Sequence, residues 1–190
     1  MRILLLSGSP SSPSRSARLL NHVGIKLNEQ GQRTSSLHVR DLPAKALMHA
    51  DFSDPELAAA KNLLAKADAI VIATPIYKAA YCGLLKSFLD ILPQDGLAGK
   101  LVLPLATGGS QSHMLALDYG LRPVLASLSA RHILPSIYAT DAQVNWSEPN
   151  GLQLDTAIQE RVEDGVQLLL DSLSLLRSPV QAAPELLLPC

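Results

Sequence analysis

Cysteine is scarce in this chain. Cys82 and Cys190 are the only two among 190 residues; they share no C-x-x-C spacing and supply neither a disulfide framework nor a redox pair. An excess of charge of one sign is missing as well: sixteen Lys and Arg stand against seventeen Asp and Glu, a formal net charge of −1. No local basic run compensates, so the electrostatic footprint of a nucleic-acid-binding protein is lacking. Nor is there a long apolar run. Only four apolar residues, 3–6, separate Met1-Arg2 from Ser7-Gly8-Ser9-Pro10; a signal peptide needs more, and a membrane span needs about 20. His22, His38, His49, His113 and His132 share no metal-like spacing, and Ser9 does not sit in the G-x-S-x-G elbow of a hydrolase. These absences predict a cytoplasmic protein with no membrane segment, no metal and no nucleic-acid partner.

What is present is a globular composition, 47% hydrophobic against 17% charged. A chain of this length buries roughly 70% of its unfolded surface and needs no staple. One domain over 1–177 is expected, with a flexible tail at 178–190 carrying Pro179, Pro184 and Pro189. The apolar pattern alternates between short runs and helical stripes. Ile3–Leu6 suits a strand buried on both faces. Ser16, Leu20, Val23 and Leu27 recur at helical spacing, with Gly31 where a C-terminal cap belongs. A weaker strand follows at 35–39. Asp54-Pro55-Glu56 opens a second helix with a capping acid and a proline in its first turn. Ala69–Ala73 is the clearest buried strand, followed by a helix over 83–92, and 101–106 is a fourth apolar run. Pro104 argues against a central place for that run, because it removes a ladder donor. A helix over 112–129, a strand over 133–139, a surface loop over 141–151 and a last helix over 155–176 complete the pattern. Five strands alternating with five helices predict a parallel sheet covered on both faces, in the order 2-1-3-4-5.

Ligands in such sheets sit beyond the carboxyl ends of the strands, and three segments of unusual composition reach that edge. Ser7–Ser16 offers hydroxyls, backbone amides, a helix N-terminus and the Arg15 guanidinium, which suit a phosphate. It has neither a G-K-[ST] nor a G-x-G-x-x-G, so a terminal monophosphate fits better than a triphosphate or pyrophosphate. Thr74–Gly83 holds two of the four tyrosines on a proline-stiffened loop able to frame a flat heterocycle. Thr107-Gly108-Gly109-Ser110 permits close backbone approach. A capped polar turn, tyrosines covering core edges and a plain strand-to-helix turn would account for the same residues. Together, one loop for a phosphate and two for a flat ring point to flavin mononucleotide.

The segments SGSPSSPSRS, TPIYKAAYCGLLKSFLD and LVLPLATGGSQSHMLALDYGLRPVL resemble the NADPH-dependent FMN reductases of the flavodoxin-like superfamily. Within that group the chain looks most like the reductase component of two-component alkanesulfonate monooxygenases, over roughly residues 1–140. The resemblance implies a flavodoxin-like fold, with Ser9, Arg15 and Ser16 on the FMN phosphate. It implies Pro75, Ile76, Tyr77 and Lys78 bordering the isoalloxazine, and Thr107, Gly108, Gly109 and Ser110 facing its pyrimidine side. NADPH would be the reductant, with NADH as the alternative donor. A flavin-dependent monooxygenase and further copies of the chain, as a dimer or tetramer, would be the partners. Many relatives carry a serine in the stretch that reads Ala80-Tyr81-Cys82 here, which leaves Tyr81 and Cys82 without an implied role. Two further readings remain: an FMN-retaining reductase of quinones, azo dyes or metal oxyanions, and a non-enzymatic flavodoxin-type electron carrier.

Pro123 bears on one more residue. Lacking an N–H, it leaves the carbonyl of Tyr119 without its helical partner, and a one-residue π-bulge would absorb the mismatch. The resemblance agrees, since these reductases can carry a Tyr insertion here, at a subunit interface beside the flavin edge. An ordinary proline kink with Tyr119 in the core is the alternative.

Overall fold

The structure is a computed structural model, and it describes residues 1–177; the expected tail at 178–190 lies outside the described residues. The elements in chain order are β1 (Arg2–Ser7), α1 (Arg15–Glu29), β2 (Arg33–His38), α2 (Ala44–Met48), α3 (Pro55–Ala65) and β3 (Ala69–Tyr77). Then come β4 (Ala80–Tyr81), α4 (Gly83–Asp90), β5 (Leu101–Gly108), α5 (Arg122–Ser127), β6 (His132–Ile133) and β7 (Ile137–Thr140). A hairpin, β8 (Val144–Ser147) and β9 (Gly151–Leu154), leads into α6 (Thr156–Arg177).

The main sheet runs β2-β1-β3-β5-β6, with β7 continuing the edge beside β5 and β4 folded antiparallel onto β3. The parallel backbone of the predicted order is therefore present, with seven strands in place of five. The predicted fifth strand is split in two. Successive side chains of a strand point to opposite faces, and this divides the core cleanly. Ile3, Leu5, Val71, Leu103 and Leu105 pack under α1 and α6, while Leu4, Leu6, Ile70, Ile72 and Val102 pack under α3, α4 and α5. Each fully buried Leu or Ile contributes about 1.5–3 kcal/mol.

Pro104 lies in a central strand, contrary to the expectation from its missing N–H. The carbonyl of Val102 accepts from the amide of Leu134 at 2.8 Å, so even-numbered residues of β5 turn their backbone groups away from β3. Pro104 thus faces the interval between β6 and β7, where the carbonyl of Leu134 accepts instead from Arg122 Nη2 at 3.3 Å. The break in the edge strand and the proline fit each other.

Two further expectations are corrected, and the alternative that packed Tyr119 in the core is set aside. The helix over 112–129 is three pieces: a 3-10 turn over Gln111–His113, a π turn over Leu117–Leu121, and α5. Pro123 falls in the first turn of α5, where an N–H has no intrahelical acceptor. Tyr119 sits in the π turn and is 80% exposed, not packed in the core. The segment 141–151 is not a plain loop, because it carries most of the β8–β9 hairpin.

Candidate active site

The carboxyl ends of β1, β3 and β5 open into a trough of about 180 Å³. Its first wall is the β1–α1 loop. Gly8 donates to the carbonyl of Ala73 at 2.8 Å, fixing the start of the loop over β3. The buried hydroxyl of Ser9 accepts from the amide of Ser11 at 3.3 Å. Ser14 caps α1, its Oγ accepting from the amide of Ala17 at 3.3 Å and lying 3.0 Å from Ser16 Oγ. Arg40 reaches in from beyond β2 and donates to the carbonyl of Ser11 at 2.5 Å. The loop is fastened by its carbonyls and hydroxyls; Ser14 takes the Ala17 and Arg18 amides, and the Arg15 and Ser16 amides, which have no intrahelical acceptor, remain for an anion. Arg15 stands at the mouth, 3.8 Å from Asp141.

The second wall is the end of β3. Pro75 and Ile76 are buried and Tyr77 is half-exposed. The chain then reverses through Lys78 and Ala79, both at positive φ (51° and 63°), a conformation that non-glycine residues rarely adopt. Thr74 holds this hairpin from within: it is fully buried and its Oγ1 accepts from the amide of Cys82 at 3.0 Å. Cys82 is a buried residue at the start of α4, and Tyr81 lies beside Gly120 of the π turn. Burial pushes the Tyr81 phenol above its ordinary pKa.

The third wall is Thr107-Gly108-Gly109. A Cβ on Gly108 would lie 2.5 Å from the Tyr138 hydroxyl, which donates to the carbonyl of Ser110 at 2.6 Å. Burial, with the Asp141 carboxylate adding to it, pushes the Tyr138 phenol up. Gly109 differs: a Cβ there would meet nothing within 4 Å, and it lines the trough. A side chain at 109 would occupy ligand space and displace no protein atom.

The structure brings Ser9, Arg15, Pro75, Ile76, Tyr77, Thr107, Gly108 and Gly109 onto one wall system. Ser16, Lys78 and Ser110 lie next to it without lining it. Ser16 is buried against Ser14, Lys78 is exposed at the hairpin tip, and Ser110 caps the following turn, its Oγ accepting from the amide of Ser112. Residues of this pattern match the model of the family described as NADPH-dependent FMN reductase over 1–145.

The chain belongs to that family.

A Pseudomonas putida protein named FMN reductase (NADPH) is 43% identical over 188 residues, covering 98% of this chain and 94% of that one. An Escherichia coli protein of the same name is 46% identical over 144 residues, 76% and 75% of the two chains. A crystal structure described as apo NADH:FMN oxidoreductase superposes with a TM-score of 0.83 at 41% identity, covering 94% and 91%. The fold of an FMN reductase thus carries a trough whose residues fit FMN: buried hydroxyls and helix amides at one end, an open glycine and a tyrosine at the other.

Four residues of this trough escaped the sequence reading. Ser11, Pro13 and Ser14 lie inside the loop already singled out. Asp141 reaches Arg15 from far along the chain, and no local pattern announces such a contact.

Proposed function

We propose that this FMN reductase takes FMN as a dissociable substrate, reduces it with NADPH and releases it to a flavin-dependent monooxygenase acting on alkanesulfonates. The single observation that carries the reading is the small volume of the trough. At about 180 Å³ it falls below the ~300–1,000 Å³ of a ligand-enclosing pocket, so a flavin seated there keeps much of its surface open to a nucleotide and to exit.

When bound, FMN supplies the two-electron acceptor, and the protein supplies geometry and electrostatics. The residues divide that work. The first amides of α1 and the Arg15 guanidinium hold the phosphate, as charge-assisted donors at a helix N-terminus do. Gly109 lets the backbone come against the ring, and amides of the Gly108-Gly109 turn oppose negative charge that develops at its pyrimidine side. Tyr77 borders the open face.

Assembly belongs to the same proposal. Tyr77, Met114, Leu115 and Tyr119 are between 46% and 80% exposed, and β4 packs against the π turn that carries Tyr119. Apolar residues gathered at the rim of a site mark an interaction surface, and a homo-oligomer seated there would cover the flavin edge. The setting is the cytoplasm; no described helix is long and apolar enough to cross a membrane.

The test is the visible spectrum of the purified protein, followed by NADPH oxidation with and without added FMN. A colourless protein that oxidises NADPH only when FMN is supplied supports the proposal. A yellow protein that keeps its flavin through turnover overturns release, and quinone turnover then tests the FMN-retaining reading.

A further inference from the structure

The trough does not end at the FMN phosphate loop. Pro13 and Ser14 line it on one side and, on the other, line a hollow of about 480 Å³ along the exposed face of α1. A third hollow of about 280 Å³ joins the two, sharing Arg15 with the trough and Arg18 and Trp146 with the α1 groove. Pro13 and Ser14 line all three hollows, which therefore adjoin one another from the flavin seat, over the first turns of α1, to the β8–β9 hairpin.

The far end has a specific chemistry. Trp146 projects from the hairpin, paired across it with Leu152, and stays 49% exposed. The Arg18 guanidinium stacks 4.4 Å from the centre of its ring and, among the described residues, belongs to no ion pair. Arg40 lines the same groove but is committed, to the Ser11 carbonyl and to Asp41 at 3.4 Å. His22 and His38 also line this groove, although His22 Nε2 and His38 Nδ1 are themselves buried, without a hydrogen-bond partner. A flat aromatic surface and an uncommitted guanidinium suit a base attached to an anion.

We propose that the Arg18–Trp146 groove seats the adenosine 2′-phosphate of the reducing nucleotide, with adenine against Trp146 and the phosphate on the edge of Arg18. This inference rests on the flavin-reductase reading and deepens it: Arg18 makes the chain prefer NADPH over NADH. The shared walls position the rest of the dinucleotide. Its pyrophosphate passes Arg15 and Asn145, which line the joining hollow, and its nicotinamide arrives at the open face of the trough. An Arg serves such a site better than a Lys, because its planar fork stacks on an aromatic ring and still presents donors to a phosphate.

The chain contains one tryptophan, so its emission reports this groove alone. Flavin-free protein is titrated with 2′,5′-ADP and separately with 5′-ADP. Saturable quenching is expected, with 2′,5′-ADP binding about tenfold or more tightly, and Arg18→Ala should erase the difference. In steady-state assays the same variant should lower the NADPH-to-NADH ratio of kcat/KM by about 10- to 100-fold, the range of a charge-assisted bond. Arg18→Lys, which keeps the charge and loses the planar stack, should fall between, and it serves if the alanine variant fails to fold. Equal quenching by both nucleotides, absent quenching, or an unchanged ratio overturns the site. Normal FMN reduction without quenching by 2′,5′-ADP removes this site alone. Selective quenching in a protein that reduces no flavin keeps the site and removes the reductase reading.

Discussion

Arg15 Nη1 lies 3.8 Å from Asp141 Oδ2 across the mouth of the trough, with both side chains about half exposed. An exposed pair of this kind contributes little to stability. Its effect is on binding, since Asp141 holds Arg15 in place and competes with an incoming phosphate. Arg15→Ala should weaken FMN by about 1.5 kcal/mol, the lower end for a charge-assisted bond because solvent screens it. Riboflavin, without the phosphate, should bind the variant and the parent alike. Equal losses for both flavins in a fluorescence titration would remove Arg15 from the phosphate site.

The two glycines after Thr107 should respond differently to substitution. Gly108→Ala places a Cβ against the Tyr138 hydroxyl and should destabilise by about 1–3 kcal/mol, as overpacking does. Tyr138→Phe should recover part of that loss, a coupling that a double-mutant cycle on thermal melts resolves. A Cβ at Gly109 meets nothing within 4 Å, so the melting temperature of Gly109→Val should hold while the KM for FMN rises. Unchanged kinetics would reduce Gly109 to a turn residue.

Tyr119→Ala should change the assembly state by sedimentation, or leave the protein yellow with retained FMN and poor turnover of added FMN. Its 80% exposure in a π turn leaves little packing to lose, so neither effect should come with a lowered melting temperature. A colourless variant with unchanged assembly and normal FMN reduction would make Tyr119 a bystander.

His22 adds a pH dependence. Burial, then the Lys26 charge on the same helix, lowers its pKa below the ordinary value, while Glu29 and, from α6, Glu163 act the other way. A histidine depressed in the folded state is protonated more readily in the unfolded chain. Its stabilising effect is present above about pH 6.5 and is lost as pH falls through the lower folded value. His22→Gln should flatten that acid slope in melts taken from neutral pH downward. A slope identical to the parent's would exclude His22 as its source.

The interior of this protein was legible in the sequence where side chains speak for themselves. Ile3–Leu6 and Ala69–Ala73 are continuous apolar runs, and a strand buried on both faces requires that. The polar β1–α1 loop was legible through its hydroxyls and helix start. Other features depended on long-range fit. The residues from Ile133 to Ala139 read as one strand, and only their pairing with β5 exposes the interruption. The β8–β9 hairpin was hidden because Asn145, Ser147, Pro149 and Asn150 look like a loop. The alternation of Val144 with Asn145 and of Leu152 with Gln153 covers only four residues on each side.

The split outer strand also bears on how the molecule keeps to itself at high concentration. A sheet margin is a template for another chain when it is long, flat and apolar. Here one margin is offered in pieces of two and four residues, with a proline in the strand behind the gap. The opposite margin, β2, reads Arg-Thr-Ser-Ser-Leu-His, polar at nearly every step. One flank breaks the ladder and the other is polar, so neither is the long apolar margin that another chain would extend.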